Sequence, residues 1–129
     1  MDIWQAADLS SNTPDAIREN AAIAGVGNRL TIDTGDARNL PYPDASFDVV
    51  TSMTAIHNIG DSEGRLRAAS EVWRVLRPGG QILIFDIRHA KAYLQQLRDL
   101  GAVNTVLAGP VILWGLLGWR VSATKPKGR

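Results

Sequence analysis

The chain has 129 residues, 45% hydrophobic and 21% charged, with a formal net charge of +1 and no cysteine. A chain of this length buries roughly two thirds of the surface its unfolded form exposes, enough for one soluble globular domain with a real core and too little for two. Zero cysteine excludes disulfides, thiolate nucleophiles and Cys-ligated zinc and fits the cytoplasm, and the near-neutral charge excludes broad electrostatic capture of nucleic acid.

Asp2 and the stretch Gln5 to Asp8 interrupt the opening residues, so no secretory signal is predicted. Ser11-Asn12-Thr13-Pro14-Asp15 predicts a helix start, with a capping side chain ahead of a proline placed where no amide donor is needed. That helix should end near Gly25. Leu30-Thr31-Ile32-Asp33-Thr34 is short, β-branched and alternating, as a strand would be. Pro41, Pro43 and Asp44 mark a loop, and Phe47 to Ser52 reads as a second strand whose apolar residues predict burial.

From Ser62 to Leu76, the spacing of Leu66, Ala69, Trp73 and Leu76 predicts an amphipathic helix that leaves Arg65, Arg67, Arg74 and Arg77 mostly outside. Arg77-Pro78-Gly79-Gly80 should end it and turn the chain into the apolar strand Gln81 to Asp86. A further helix, about Ala90 to Leu100, buries Tyr93, Leu94 and Leu97 and is capped by Gly101. Two strands, near Thr105 to Leu113 and Trp119 to Thr124, close the chain.

Ala102 to Trp119 carries no charge and has the length of a minimal membrane span, but Asn104, Gly109, Pro110, Gly115 and Gly118 suit two strands joined by a turn better than one helix. The order of elements predicts an α/β fold: a mostly parallel sheet with helices on both faces and a C-terminal antiparallel hairpin. Ligands in such sheets sit beyond the carboxyl ends of the strands. The positions to inspect are Asp2 to Trp4, Gly35 to Ala37, Ser52 to His57 and Asp86 to His89.

Gly35-Asp36-Ala37-Arg38, then Leu40-Pro41-Tyr42-Pro43-Asp44 and Ser46-Phe47-Asp48-Val49-Val50, followed by Ala55-Ile56-His57-Asn58-Ile59 and Glu71-Val72-Trp73-Arg74-Val75-Leu76-Arg77-Pro78-Gly79-Gly80, form a combined pattern. It resembles the class I S-adenosylmethionine-dependent methyltransferases, whose fold is Rossmann-like. The resemblance is densest from Gly35 to Asp86 and elsewhere rests on element order. It implies S-adenosylmethionine as cofactor, with Asp36 accepting from the adenine amino group and the Ala37 amide meeting a ring nitrogen. Asp2 matches the acidic residue that takes the ribose hydroxyls, Ile3 would pack on the adenine, and Ser52 and Met53, with Thr54, fall at the methionine end. A carboxylate can only accept, which suits hydroxyls and an exocyclic amine. Asp36 also has a plainer reading as the start of a turn after Gly35, and Asp2 as an ordinary polar residue near a terminus.

His57 falls near the implied acceptor and is the candidate for direct chemistry, although a single histidine is commonly structural. His57 and His89 are the only histidines, without ligand-type spacing, so no metal is expected. Gly25-Val26-Gly27 follows a helix and precedes a strand, the reverse of a nucleotide-binding loop, which disfavours a nicotinamide dehydrogenase. Lys125, Lys127 and Arg129 read as a solvated basic tail.

The largest departure from the family is at the start. Its first strand and glycine-rich loop have no counterpart, so Met1-Asp2-Ile3 appear as the second strand of a single domain, 1–129, incomplete at its N-terminus. Two functions follow: methyl transfer to a small-molecule or lipid-like acceptor, or a non-catalytic methyltransferase-like module or inactive fragment. The second would use exposed strand edges for self-association or partner binding. A membrane span is not expected, and contact of 102–119 with a membrane surface stays open.

Overall fold

The computed structural model describes residues 1–4 and 13–128. The chain divides into two compact units, Met1–Asp36 and Ala37–Arg129. Gln5 to Asp8, Ser11, Asn12 and Arg129 lie outside the described residues.

In the first unit, helix α1 spans Pro14–Ile23. The Thr13 hydroxyl caps it by accepting from the Ala16 amide at 3.4 Å, and Pro14 occupies a first-turn position whose missing N–H costs nothing. Gly25, at φ +68°, turns the chain out of the helix as expected. The strand expected over Leu30 to Thr34 is corrected. Gly27–Arg29 is a 3-10 turn, and among the described residues only Thr34 bridges, in parallel, to Asp2. The Asp2 N–H donates to the Asp33 carbonyl at 3.3 Å, and the Gly35 N–H to the Asp2 carbonyl at 3.1 Å. A parallel strand forms only along a partner of comparable length, and Leu30, exposed, has no such ladder.

The second unit is built on a four-stranded sheet in the order β1-β2-β4-β3, from β1 Phe47–Met53, β2 Leu76–Asp86, β3 Val103–Leu113 and β4 Leu116–Thr124. β1 and β2 are parallel; β4 is antiparallel to both β2 and β3. The fold is thus the mixed, Rossmann-like α/β class, with the closing hairpin where the turn signals put it, Trp114 and Gly115 both at positive φ. Helix α2, Ser62–Val75, supplies the parallel crossover, and α3, Ala90–Asp99, leads into the hairpin. Gly101, at φ +94°, closes α3, its N–H donating to Arg98 and that of Ala102 to Leu97.

One face of the sheet carries the core. Ile82 and Ile84 of β2 and Val121 and Ala123 of β4 alternate inward against Ala68 and Val72 of α2 and Tyr93, Leu94 and Leu97 of α3. The buried stripe of α2 is therefore rotated from the one its spacing suggested. Gly64, Ala68, Ala69, Val72 and Val75 lie inside, with Leu66 and Trp73 half-buried on its flanks. Small residues let α2 come close: a Cβ on Gly64 would stand 2.8 Å from the Ile59 side chain. The burial expected for β1 is also corrected. Val49 is 57% exposed, because it points to the face opposite the helices, as Leu83 and Val106 do.

Arg77-Pro78-Gly79-Gly80 lies within β2 rather than before it, as an irregularity that sets Phe47 against Leu76 but Val49 against Gln81. Gly80 is required there, since a Cβ would meet the Leu76 side chain at 2.7 Å and the Asp48 carbonyl at 2.8 Å. Two basic residues read as solvated are engaged. The Lys125 Nζ donates to the Trp73 and Leu76 carbonyls at 2.8 and 2.9 Å, closing the end of α2, and lies over the Trp73 ring. Burial holds its pKa below the usual lysine value. Arg74 clamps a loop, as described below. Among the described residues, no helix is long and apolar enough to cross a membrane.

Candidate active site

Each expected site residue is placed within its own unit. In Met1–Asp36, the parallel bridge sets Asp2 beside Thr34, and Asp36 follows two residues later, so both carboxylates stand at the carboxyl ends of neighbouring extended segments. Asp2 Oδ1 accepts the Trp4 amide at 2.9 Å, and Trp4 Nε1 donates to the Thr34 hydroxyl at 2.8 Å, which ties these ends together. Ile3 is exposed.

In Ala37–Arg129, Ala37 packs against the core, and Ser52 and Met53 end β1 opposite Ile84 and Phe85 of β2. Thr54 then takes φ +47°, an unfavourable conformation for a β-branched residue, while its amide donates to the Phe85 carbonyl at 2.8 Å. The 3-10 turn Ile56–Asn58 comes next. Ile56 is buried in the core and fixes the turn, which delivers His57 over the end of β2.

There His57 meets Asp86, the last residue of β2 and a fully buried carboxylate. Asp86 Oδ2 accepts the His57 amide at 3.0 Å and the Tyr93 hydroxyl at 3.4 Å, and Oδ1 accepts the Ile87 amide at 2.9 Å. The His57 Nδ1 faces Oδ1 in an ion-pair contact. That contact lacks hydrogen-bond alignment, so Nδ1 is a buried nitrogen with no aligned partner. The imidazole keeps 15% side-chain exposure, enough to be reached. Burial, then the Asp86 charge, pushes the Tyr93 hydroxyl well above its ordinary value, so it remains a proton donor to Asp86.

A second ion-pair group lies at the opposite end of α2. Arg74 donates to both Glu71 oxygens at 2.7 and 2.8 Å, to Asp44 Oδ1 at 2.8 Å, and to the carbonyls of Tyr42 and Leu40 at 2.8 and 3.0 Å. Glu71 also accepts the Leu40 amide at 2.8 Å. The Arg74 hydrogen bonds hold the Glu71 carboxyl below its usual range. Arg74, expected to be solvent-facing, thus fastens the Leu40–Asp44 loop to α2.

The geometry defines a class: a Rossmann-like α/β protein with polar groups at the carboxyl ends of parallel segments within each unit. A family model described as a methyltransferase domain matches residues 4–84, and the chain belongs to that family. It is 38% identical over 78 residues to 27-O-demethylrifamycin SV methyltransferase of Amycolatopsis mediterranei, covering 60% of this chain and 28% of that protein. It is 33% identical over 100 residues to the ubiquinone/menaquinone biosynthesis C-methyltransferase UbiE of Roseobacter denitrificans, covering 77% of this chain and 39% of that protein. Among solved structures, a SAM-dependent methyltransferase from Aquifex aeolicus superposes with a TM-score of 0.62 at 17% identity, covering 89% of this chain and 64% of that one. The chain therefore spans little more than a third, or less, of these two curated relatives.

Within each unit the residue types suit part of that family's cofactor. In the first unit Asp2 and Asp36 are acceptors at and beside the Asp2–Thr34 bridge, suited to hydroxyls and an amine, and in the second Ser52 and Met53 end the parallel strand β1. Asp86 is the residue that sequence reasoning did not assign. Its only sequence signal is its position as the polar end of an apolar strand.

Proposed function

We propose that the chain is a methyltransferase domain for a small-molecule acceptor in the cytoplasm. Asp2, Ile3, Asp36 and Ala37 hold the adenosine end of S-adenosylmethionine, Ser52 and Met53 the methionine end, and His57 is the general base. The cofactor, when bound, supplies an electrophilic methyl group on a sulfonium. The protein's own contribution is alignment, water exclusion and proton management. With Nδ1 facing Asp86, His57 presents Nε2 as the atom that takes a proton from the acceptor.

The His57–Asp86 contact is the observation that carries this reading. It unites a buried, unaligned nitrogen with a fully buried carboxylate at a strand's carboxyl end. The names of the relatives point to acceptors of the quinone or polyketide kind. The test is calorimetric titration with S-adenosylmethionine and S-adenosylhomocysteine. Saturable binding is expected, weakened roughly tenfold or more in Asp36→Ala, where a charged acceptor is lost. Unchanged affinity in that variant would remove Asp36 from the site.

A second reading is a binding module without turnover. In that reading β1, terminal in the sheet order, offers an edge for self-association. A folded chain that binds neither S-adenosylmethionine nor S-adenosylhomocysteine would leave a methyltransferase-like fragment or binding module.

A further inference from the structure

The closing hairpin overshoots the sheet. β2 ends at Asp86, paired with Trp119, yet β3 and β4 continue past that point through Val111–Gly118, Ile112–Leu117 and Leu113–Leu116 to the turn at Trp114 and Gly115. The result is a two-stranded ribbon three rungs long, about 10 Å by the strand rise, projecting from the end of the sheet that carries Asp86. It is apolar on its exposed surface. Trp114 is 83% exposed and Ile112 75%, with Leu116 and Leu117 also exposed. No charged residue occurs from Gly101 to Trp119.

Charge is distributed to match. Residues 87–129 hold seven Lys and Arg and a single acid, Asp99, whereas residues 1–86 hold seven and twelve. Arg88 and Lys91, both exposed, follow the carboxyl end of β2, and exposed Arg120 lies just behind the uncharged rungs. An apolar tip with an aromatic residue at its turn, backed by cations, has the chemistry of the bilayer interface. Tryptophan favours the headgroup level, apolar surface enters about 5–10 Å, and cations meet anionic headgroups.

We propose that the Val111–Gly118 hairpin tip docks on the surface of a lipid bilayer, without spanning it, and turns the Asp86 end of the sheet toward the membrane. The ribbon's length matches the depth of interfacial insertion, and a convex tip is a poor substitute for the roughly 800 Å² per partner of a stable protein interface. Docking rests on this surface alone and needs neither cofactor nor acceptor.

The test is flotation of the full chain with vesicles of phosphatidylcholine, alone or mixed with phosphatidylglycerol. Wild type is expected to float with both and better with the anionic mixture. The double variant Ile112→Ser/Trp114→Ser, altered only at exposed positions, should keep its circular dichroism and melting temperature and bind roughly tenfold or more weakly. Arg120→Gln should weaken only the anionic component. Quenching by brominated lipid should be lost in Trp114→Phe. Absence of flotation, or equal flotation of the double variant, overturns the proposal. So do concentration-dependent oligomers that form without vesicles and vanish in the double variant, which would give the tip to a second copy of the chain. Because the assay contains no cofactor, its outcome is independent of whether methyl transfer occurs.

Discussion

The molecule holds two acid–base pairs of similar composition and opposite character, one at each end of α2. At the Leu40–Asp44 loop, Glu71 and Arg74 are saturated: nearly every donor has an aligned acceptor, and the pair remains partly open to water. At the end of β2, Asp86 is wholly buried and satisfied by amides and Tyr93, while the His57 nitrogen facing it has no aligned hydrogen bond. A saturated network is already at its lowest energy and fixes a loop. The second pair leaves a buried nitrogen without an aligned hydrogen bond beside a buried carboxylate, an arrangement that fixing a loop does not require.

Breaking the second pair should have the largest effect. Asp86→Asn is expected to lower turnover by about 10²–10⁴-fold, the range for loss of a general base or its orienting carboxylate, with S-adenosylmethionine affinity nearly unchanged. Single-turnover rates beside calorimetric affinities measure both. An equal loss of affinity would mean that Asp86 holds the site's shape and not its proton traffic.

Breaking the first pair should move stability instead. Arg74→Ala is expected to lower the melting temperature by several degrees and leave turnover per folded molecule intact, as thermal scans and active-site titration would show. Acid should reproduce part of this effect. The Glu71 carboxyl titrates below its ordinary value of 4.5 because Arg74 binds its charged form. Its stabilisation is therefore complete above that ordinary value and is lost as pH falls through the lowered one. In Arg74→Ala the corresponding part of the acid transition should disappear.

Two smaller changes sharpen the contrast. Tyr93→Phe removes one long hydrogen bond from Asp86 and should cost about 1 kcal/mol in denaturant unfolding, while the His57–Asp86 contact persists. Thr54→Asn places a residue that tolerates the left-handed region at φ +47° and should stabilise by roughly 0.5–1 kcal/mol. A slower variant of higher stability would show that the strained Thr54 positions His57.

How far the sequence could be read follows from the range of the forces involved. Thr13-Pro14 and Gly101 mark helix ends through backbone geometry a few residues away, and Trp114-Gly115 does the same for the hairpin. The strand at Leu30 to Thr34 failed because a strand is defined by its neighbour, and among the described residues one bridge forms there. Val49 is as apolar as a buried residue, and which face of the sheet the helices cover is not written in its own segment. Positions 57 and 86 were both marked as strand-end sites, but their meeting spans 29 residues and depends on the register between β1 and β2. Arg74 looked like a surface charge because its partners lie more than 30 residues back along the chain.

Lys125 carries a consequence for how the chain is made. The two carbonyls it closes, Trp73 in α2 and Leu76 at the start of β2, lie 52 and 49 residues earlier, so at the ribosome they are complete long before their cap exists. Until β4 aligns beside β2, the end of α2 can satisfy those carbonyls only with water. Lys125 thus acts as a fastener for the α2–β2 junction, which stays unlocked until that residue has been made.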